Sequence, residues 1–165
     1  MTKVTEQRNS LSNNIDILDS NSIIELINAE DSKLHLAIKR EIKTINKIVT
    51  NVIDSFENEG RLFYVGAGTS GRIGVLDASE CPPTFKVGSH MVQGIIAGGT
   101  KALYKSVEGA EDSFDDGANC MENKSINSND SIIGISASGE ASFVLGALKK
   151  SSELGAYTAL ITFNN

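Results

Sequence analysis

Gly66, Gly68 and Gly71, with Thr69 and Ser70 among them, are the residues of this chain best fitted to hold an anion. Glycines let the backbone bend sharply and approach a ligand closely, and the two hydroxyls add donors. A helix opening there points free amides and its positive dipole end at the bound charge. Gly68, Thr69 and Ser70 are therefore candidate phosphate-binding residues; a bare strand-to-helix turn needs fewer glycines and no hydroxyls. A second small-residue run, Ser136-Ala-Ser-Gly139, follows an Ile-rich segment in the same way. It makes Ser136, Ser138 and Gly139 candidates for the same ligand, against the plainer reading of a polar turn.

Three glutamates are placed to move protons. Glu80 stands directly before Cys81-Pro82-Pro83, so it is expected to end the helix that the glycine loop begins, with the prolines stiffening the exit. Glu108 and Glu111, in Val107-Glu-Gly-Ala-Glu-Asp112, are three apart and are expected on a helix where either one faces the same crevice. The spacing does not choose between them, and a helical glutamate is more commonly a solvated surface charge. A carboxyl positioned beside a reacting sugar is a general acid or base.

The three glycines also satisfy G-x-G-x-x-G, the dinucleotide-binding fingerprint, which by itself is weak. That site requires an acidic residue about 20 positions on, at the end of the second strand, to hold the ribose. The second strand is expected at 91–97 and runs into Gly98-Gly99-Thr100, where there is no carboxylate. A phosphosugar fits the pattern better than a dinucleotide.

These candidates need a scaffold, and the hydrophobic pattern supplies one. Arg61-Leu-Phe-Tyr-Val65 reads as a buried parallel strand feeding the first loop. Further strands are expected at 131–135 and 157–163, with a helix from about Arg72, helical stretches from about Thr100 to Glu122, and a helix from about Ala141. Strands alternating with helices make an α/β parallel sheet, in which ligands bind beyond the carboxyl ends of the strands. Upstream, Leu34, Ile38, Ile42, Ile45, Val49, Val52 and Phe56 form one apolar stripe on a long helix ending near Gly60, read as core packing or a dimer face. Ile23, Ile24 and Ile27 mark a shorter helix capped around Ser20 to Ser22, and the first dozen residues form a polar arm. The expected division is 1–60 for the arm and helices packing on the main domain, and 61–165 for the domain itself. The last apolar strand is followed by no covering helix before Asn165, so the sheet is expected to be incomplete, as in a truncated chain.

Composition narrows the partners. The chain has 165 residues, 40% hydrophobic and 22% charged, as in a single globular domain. No apolar run approaches the roughly 20 residues that span a bilayer, and the amino terminus lacks a signal-type apolar segment, so a cytoplasmic protein is expected. A net charge of −6 without a basic cluster disfavours nucleic acid. Cys81, Cys120, His35 and His90 show no metal-ligand spacing, and both cysteines read as structural.

Five blocks, Gly66-Ala-Gly-Thr-Ser-Gly-Arg72, Leu76-Asp-Ala-Ser-Glu-Cys-Pro-Pro-Thr84, Ile95-Ile-Ala-Gly-Gly99, Val107 to Asp112 and Gly134-Ile-Ser-Ala-Ser-Gly139, closely resemble the N-acetylmuramic acid 6-phosphate etherases. Thr5-Glu-Gln-Arg-Asn9 and Ile27-Asn-Ala-Glu-Asp31 resemble that family's start, and the likeness is to its amino-terminal half. It implies a three-layer α/β/α sugar-isomerase (SIS) domain preceded by helices. The implied reaction cleaves the D-lactyl ether of N-acetylmuramic acid 6-phosphate in peptidoglycan recycling, without metal or other cofactor, in a homodimer. By the same resemblance Glu80 matches the proton donor and Glu111 the second acid/base residue. The family pattern's Thr-Pro pair after Gly139 is replaced here by Ala141-Ser142. The related readings are a phosphosugar-binding regulatory module of the same fold and a phosphosugar isomerase.

Overall fold

The computed structural model describes residues 3–164. The chain divides into two compact units, with the boundary between Val49 and Thr50.

In the first unit three short 3₁₀ turns, Val4–Glu6, Ser10–Ser12 and Ile15–Ile17, replace the expected irregular arm. Helix α1, Ser20–Asp31, is capped by Asp19, whose carboxylate accepts from the Ser22 amide at 3.0 Å. Helix α2, Leu34–Glu57, begins in this unit and runs into the second. Its stripe residues Leu34, Ile38, Ile42, Ile45 and Val49 are all exposed.

The second unit is a four-stranded sheet, all parallel, in the order β2-β1-β3-β4. The strands are β1 Leu62–Gly66, β2 Val92–Ile96, β3 Ser131–Ile135 and β4 Tyr157–Ile161. Helix α3, Gly68–Phe85, connects β1 to β2. The short α4, Lys101–Tyr104, and α5, Phe114–Asn123, lead to β3, and α6, Ser142–Glu153, connects β3 to β4.

Strand alternation sorts the helices into layers. Phe63 and Val65 of β1 and Ile132 of β3 pack with Met121 of α5 and with Phe143 and Ala147 of α6. Tyr64, between those two β1 positions, meets α3 instead: a Cβ added at Gly74 would lie 2.7 Å from the Tyr64 Cβ. The three-layer α/β/α arrangement expected from the sequence is therefore present.

The entry edge of the sheet is tied by polar groups. Asp130, fully buried, accepts from the Arg61 amide at 2.9 Å, from Arg61 Nε at 3.0 Å and Nη2 at 2.7 Å, and from the Asn127 amide at 3.0 Å. Ser55 and Ser131 share a buried hydroxyl contact of 2.7 Å. Full satisfaction is what allows a buried carboxylate to persist.

Two local expectations are corrected. Glu80 does not end α3, which continues through Pro82 and Pro83 to Phe85 and closes at Lys86 in the left-handed conformation. Each proline lacks the N–H that would bond four residues back, so α3 forgoes the bonds from positions 82 and 83 to Ala78 and Ser79, while the Lys86 amide still closes the helix on the Pro82 carbonyl. Glu108 and Glu111 are not on a helix either. Gly109 at φ +72° breaks the segment into turns, and α5 starts only after Ser113, whose hydroxyl accepts from the Asp116 amide.

Candidate functional site

The strand order puts β1 and β3 side by side, with α3 leaving β1 on one face and α6 leaving β3 on the other. A crevice opens at such a switch point, beyond the carboxyl ends of the two strands. Gly66 and Ile135, the last residues of β1 and β3, are register partners, so the two loops suspected of binding phosphate start from adjacent positions. The sheet thus brings Gly68, Thr69 and Ser70 together with Ser136, Ser138 and Gly139.

Both helices that open at this crevice lack a side-chain cap. Residue Ala67 stands at the cap position of α3 and Ala141 at that of α6, and neither has a side chain able to accept a hydrogen bond. Elsewhere in the same chain α1 and α5 are capped by Asp19 and Ser113. The first amides of a helix carry no intrahelical partner, so the alanine cap of α3 leaves them for an anion, whereas in the first turn of α6 the Phe143 amide is already taken by the Glu111 carbonyl at 2.9 Å.

The first loop is compressed where it turns. A Cβ at Gly71 would lie 2.6 Å from Ile96 Cγ1 and 2.7 Å from the Gly66 carbonyl, so only glycine lets α3 approach the strands here. Gly68 adopts φ +53° and faces open space, so there glycine serves the turn itself.

In the second loop the Ser136 hydroxyl, nearly buried, accepts from the amides of Gly139 at 3.2 Å and Ala141 at 3.4 Å. The Ser138 hydroxyl accepts from the Glu140 amide at 3.1 Å. These serines shape the loop, and their hydroxyl protons remain to be donated. Two residues the sequence reading passed over brace it from β4: Thr162 Oγ1 donates to the Ala137 carbonyl at 3.2 Å and Asn164 Nδ2 to the Ser138 carbonyl at 3.0 Å. No local pattern marks them, because the contact spans the whole α6 crossover.

Glu111 is brought to this loop. Its carbonyl accepts from the Phe143 amide at 2.9 Å, in the first turn of α6. Glu108 is instead engaged locally, accepting from the Ser106 hydroxyl at 3.2 Å. Glu80 is not brought there. Along α3, Gly71 meets Ile96 at the end of β2 and Val75 meets Gly94 in its middle, so the helix runs back toward the entry edge and carries Glu80 away from the loops.

Near the middle of α3, Tyr64 donates to Asp77. Burial first, and then the Asp77 hydrogen bond and charge, hold the Tyr64 phenol well above the usual tyrosine range. Burial and the same carboxylate push the Cys81 thiol up, so this thiol is poorly suited to be a nucleophile. Among the described residues no cluster of His, Cys, Asp or Glu is gathered for a metal, and no helix is long and apolar enough to cross a membrane.

Comparison with known proteins adds an independent line. Residues 44–152 match the family described as Glucokinase regulatory protein N-terminal SIS domain. The chain is 49% identical over 160 residues to the N-acetylmuramic acid 6-phosphate etherases of Bacillus cereus (strain B4264) and Bacillus cytotoxicus, covering 97% of this chain and 54% of each relative. It therefore spans about half the length of the curated relatives it matches. Among solved structures, phosphoheptose isomerase GmhA from Neisseria gonorrhoeae superposes with a TM-score of 0.64 at 17% identity, over 85% of this chain and 74% of that one. That likeness speaks for the fold alone.

Proposed function

The chain belongs to the SIS family defined by the glucokinase regulatory protein's amino-terminal domain, and from its 49% identity to the etherases we propose that it binds N-acetylmuramic acid 6-phosphate and carries catalytic residues for cleavage of the D-lactyl ether. The observation that carries the phosphosugar part is the pair of uncapped helix starts, Ala67 and Ala141, at adjacent strand ends. The 6-phosphate takes the amides of Gly68, Thr69 and Ser70 and the hydroxyls of Thr69, Ser70, Ser136 and Ser138, in charge-assisted bonds stronger than neutral ones, with Gly139 turning the second loop around it.

The chemistry then requires two carboxyls. In the open-chain sugar the C2–H is acidic because it adjoins the aldehyde. A carboxylate removes that proton, the electron pair forms the C2=C3 double bond, and the C3–O bond to the lactyl group breaks as a carboxylic acid protonates the departing oxygen. D-Lactate leaves. Water then adds across the double bond, its oxygen to C3 and a proton to C2, giving N-acetylglucosamine 6-phosphate. Glu80 is the proton donor and Glu111 the second acid/base residue. Each such group contributes about 10²–10⁴ in rate. No metal or organic cofactor enters these steps.

The setting is recycling of cell-wall amino sugars in the cytoplasm, and the assembly is a homodimer. The exposed apolar stripe of α2 supports that assembly. Incubating the purified chain with N-acetylmuramic acid 6-phosphate and measuring D-lactate tests the reading, with Glu80→Ala and Glu111→Ala expected to abolish release. A second reading, a phosphosugar-binding module without catalysis, is favoured by the separation of Glu80 from the phosphate loops in one chain. Tight binding of the phosphosugar with no lactate from a folded chain would establish it in place of the enzyme.

A further inference from the structure

The pairing of β3 with β4 does not stop at the strand ends. Past Ile135 the Ser136 amide donates to the Ile161 carbonyl at 3.1 Å, and the Phe163 amide donates to the Ala137 carbonyl at 3.1 Å. Residues 161–164 therefore run beside the second small-residue loop as a strap. Two side chains tighten it. Thr162 Oγ1 donates to the same Ala137 carbonyl at 3.2 Å and accepts from the Asn164 amide at 3.2 Å, while Asn164 Nδ2 donates to the Ser138 carbonyl at 3.0 Å. The loop lies close against the strap at Gly139, where φ is +77° and an added Cβ would meet Thr162 Oγ1 at 3.0 Å.

These contacts fix directions as well as positions. A trans peptide is planar, with its N–H pointing opposite to its C=O. Two donors hold the Ala137 carbonyl toward the end of β4, so the Ser138 amide, in the same peptide plane, points away from β4. Strand β3 lies between β4 and β1, so away from β4 is the side on which the crevice opens. Among the described residues no group accepts from that amide. The amides of Gly139, Glu140 and Ala141, by contrast, are spent on the Ser136 and Ser138 hydroxyls inside the loop.

We propose that Thr162 and Asn164 are positioning residues for phosphate binding: by drawing the Ala137 and Ser138 carbonyls against the end of β4, they aim the Ser138 amide at the bound phosphate, beside the Ser136 and Ser138 hydroxyls. The inference deepens the phosphosugar reading and rests on it. An amide fixed in advance donates a charge-assisted bond to a phosphate oxygen without the cost of ordering the loop as the ligand arrives. Thr162 and Asn164 act through the peptide planes of the loop and touch no ligand themselves. The strap reaches the loop from the far side of the α6 crossover, so the direction of this donor is set by β4 and not by the loop's own neighbours.

Binding of N-acetylglucosamine 6-phosphate to the full, isotope-labelled chain tests this without requiring turnover. An amide that bonds phosphate moves its proton resonance downfield, and calorimetry gives the affinity. In wild-type protein the Ser70 and Ser138 amides should both move. Thr162→Val keeps the side-chain shape and loses the hydroxyl, and Asn164→Ala loses the amide donor; each should weaken binding about fivefold to tenfold and abolish the Ser138 shift while the Ser70 shift remains. Thr162→Ser returns the hydroxyl and should bind within about threefold of wild type, with the Ser138 shift restored. A general loss of stability would weaken both loops together, so selective loss at Ser138 identifies positioning. Unchanged affinity in both variants, or a Ser70 shift without a Ser138 shift in wild-type protein, overturns the positioning role and leaves the phosphosugar reading intact. Inorganic phosphate is the second probe: a Ser138 shift with phosphate alone and none with the sugar phosphate keeps the strap's role and overturns the phosphosugar reading. No shift with either probe overturns both.

Discussion

The amide of Phe143 donates to the carbonyl of Glu111 at 2.9 Å, fastening the turn before α5 to the first turn of α6. One backbone bond thus joins a candidate acid/base residue to the loop that ends in Gly139. The neighbouring Glu108, three residues earlier, has no such link and spends its carboxylate on Ser106.

That difference predicts unequal consequences for two similar substitutions. Glu111→Gln keeps the backbone contact and the side-chain shape but removes the ionisable group, so lactate release should drop by about 10²–10⁴ with binding of the phosphosugar retained. Glu108→Gln should change the rate less than about threefold. Steady-state lactate assays on both variants, with circular dichroism to verify folding, make the comparison.

The uncapped start of α3 predicts a trade between stability and binding. Ala67 already has the extended conformation of a cap residue, φ −118° and ψ 152°. Ala67→Asp gives the first amides a permanent carboxylate acceptor and should raise unfolding free energy by about 0.5–2 kcal/mol. The same carboxylate competes for the phosphate position, so phosphosugar affinity should fall by more than about tenfold. Urea unfolding and calorimetric titration would show both shifts in one protein; a gain in stability with unchanged affinity would remove the anion from that helix end.

Two glycines of the same loop should respond differently to alanine. At Gly71 the new methyl meets Ile96 Cγ1 and the Gly66 carbonyl at 2.6–2.7 Å, forcing α3 away from the sheet. Gly71→Ala should lose about 1–3 kcal/mol of stability. Gly68 faces open space at φ +53°, so Gly68→Ala meets only backbone strain of about 1–2 kcal/mol. Its larger effect should fall on phosphosugar affinity. Denaturation midpoints paired with binding isotherms separate packing from positioning.

Tyr64 predicts an alkaline limit to stability. Burial and the Asp77 carboxylate raise its folded-state pKa above the usual phenol value of 10.0. Below about pH 10 both folded and unfolded states hold the proton and the contribution is complete. As pH rises past that point the unfolded chain releases the proton first, and stability falls. Comparing urea midpoints at about pH 8.5 and 10.5, wild-type protein should lose more than Tyr64→Phe, which has no proton there to release; equal losses would contradict the burial argument.

Much of this protein was legible one segment at a time. The strand at 131–135, the stripe from Leu34 to Phe56 and both small-residue loops are local patterns, set by side-chain alternation, helical periodicity and the turning capacity of glycine. Pro82 and Pro83 misled because a pair of prolines reads as a helix end, while α3 carries both in its final turn before Lys86. The segment 105–112 misled because two glutamates three apart suggest a helical face, while Gly109 at positive φ turns the chain there.

The sequence by itself determined the parallel α/β class, the two loops and the residue types gathered around them, because each depends on neighbours within a few positions. Tertiary structure decided which of those residues meet. Strand order set β1 beside β3 and so joined the two loops, and the Phe143–Glu111 bond separated Glu111 from Glu108. The antiparallel run of α3 carried Glu80 away from its own phosphate loops. Those relations depend on the direction in which rigid elements pack, which side-chain spacing along one segment does not encode.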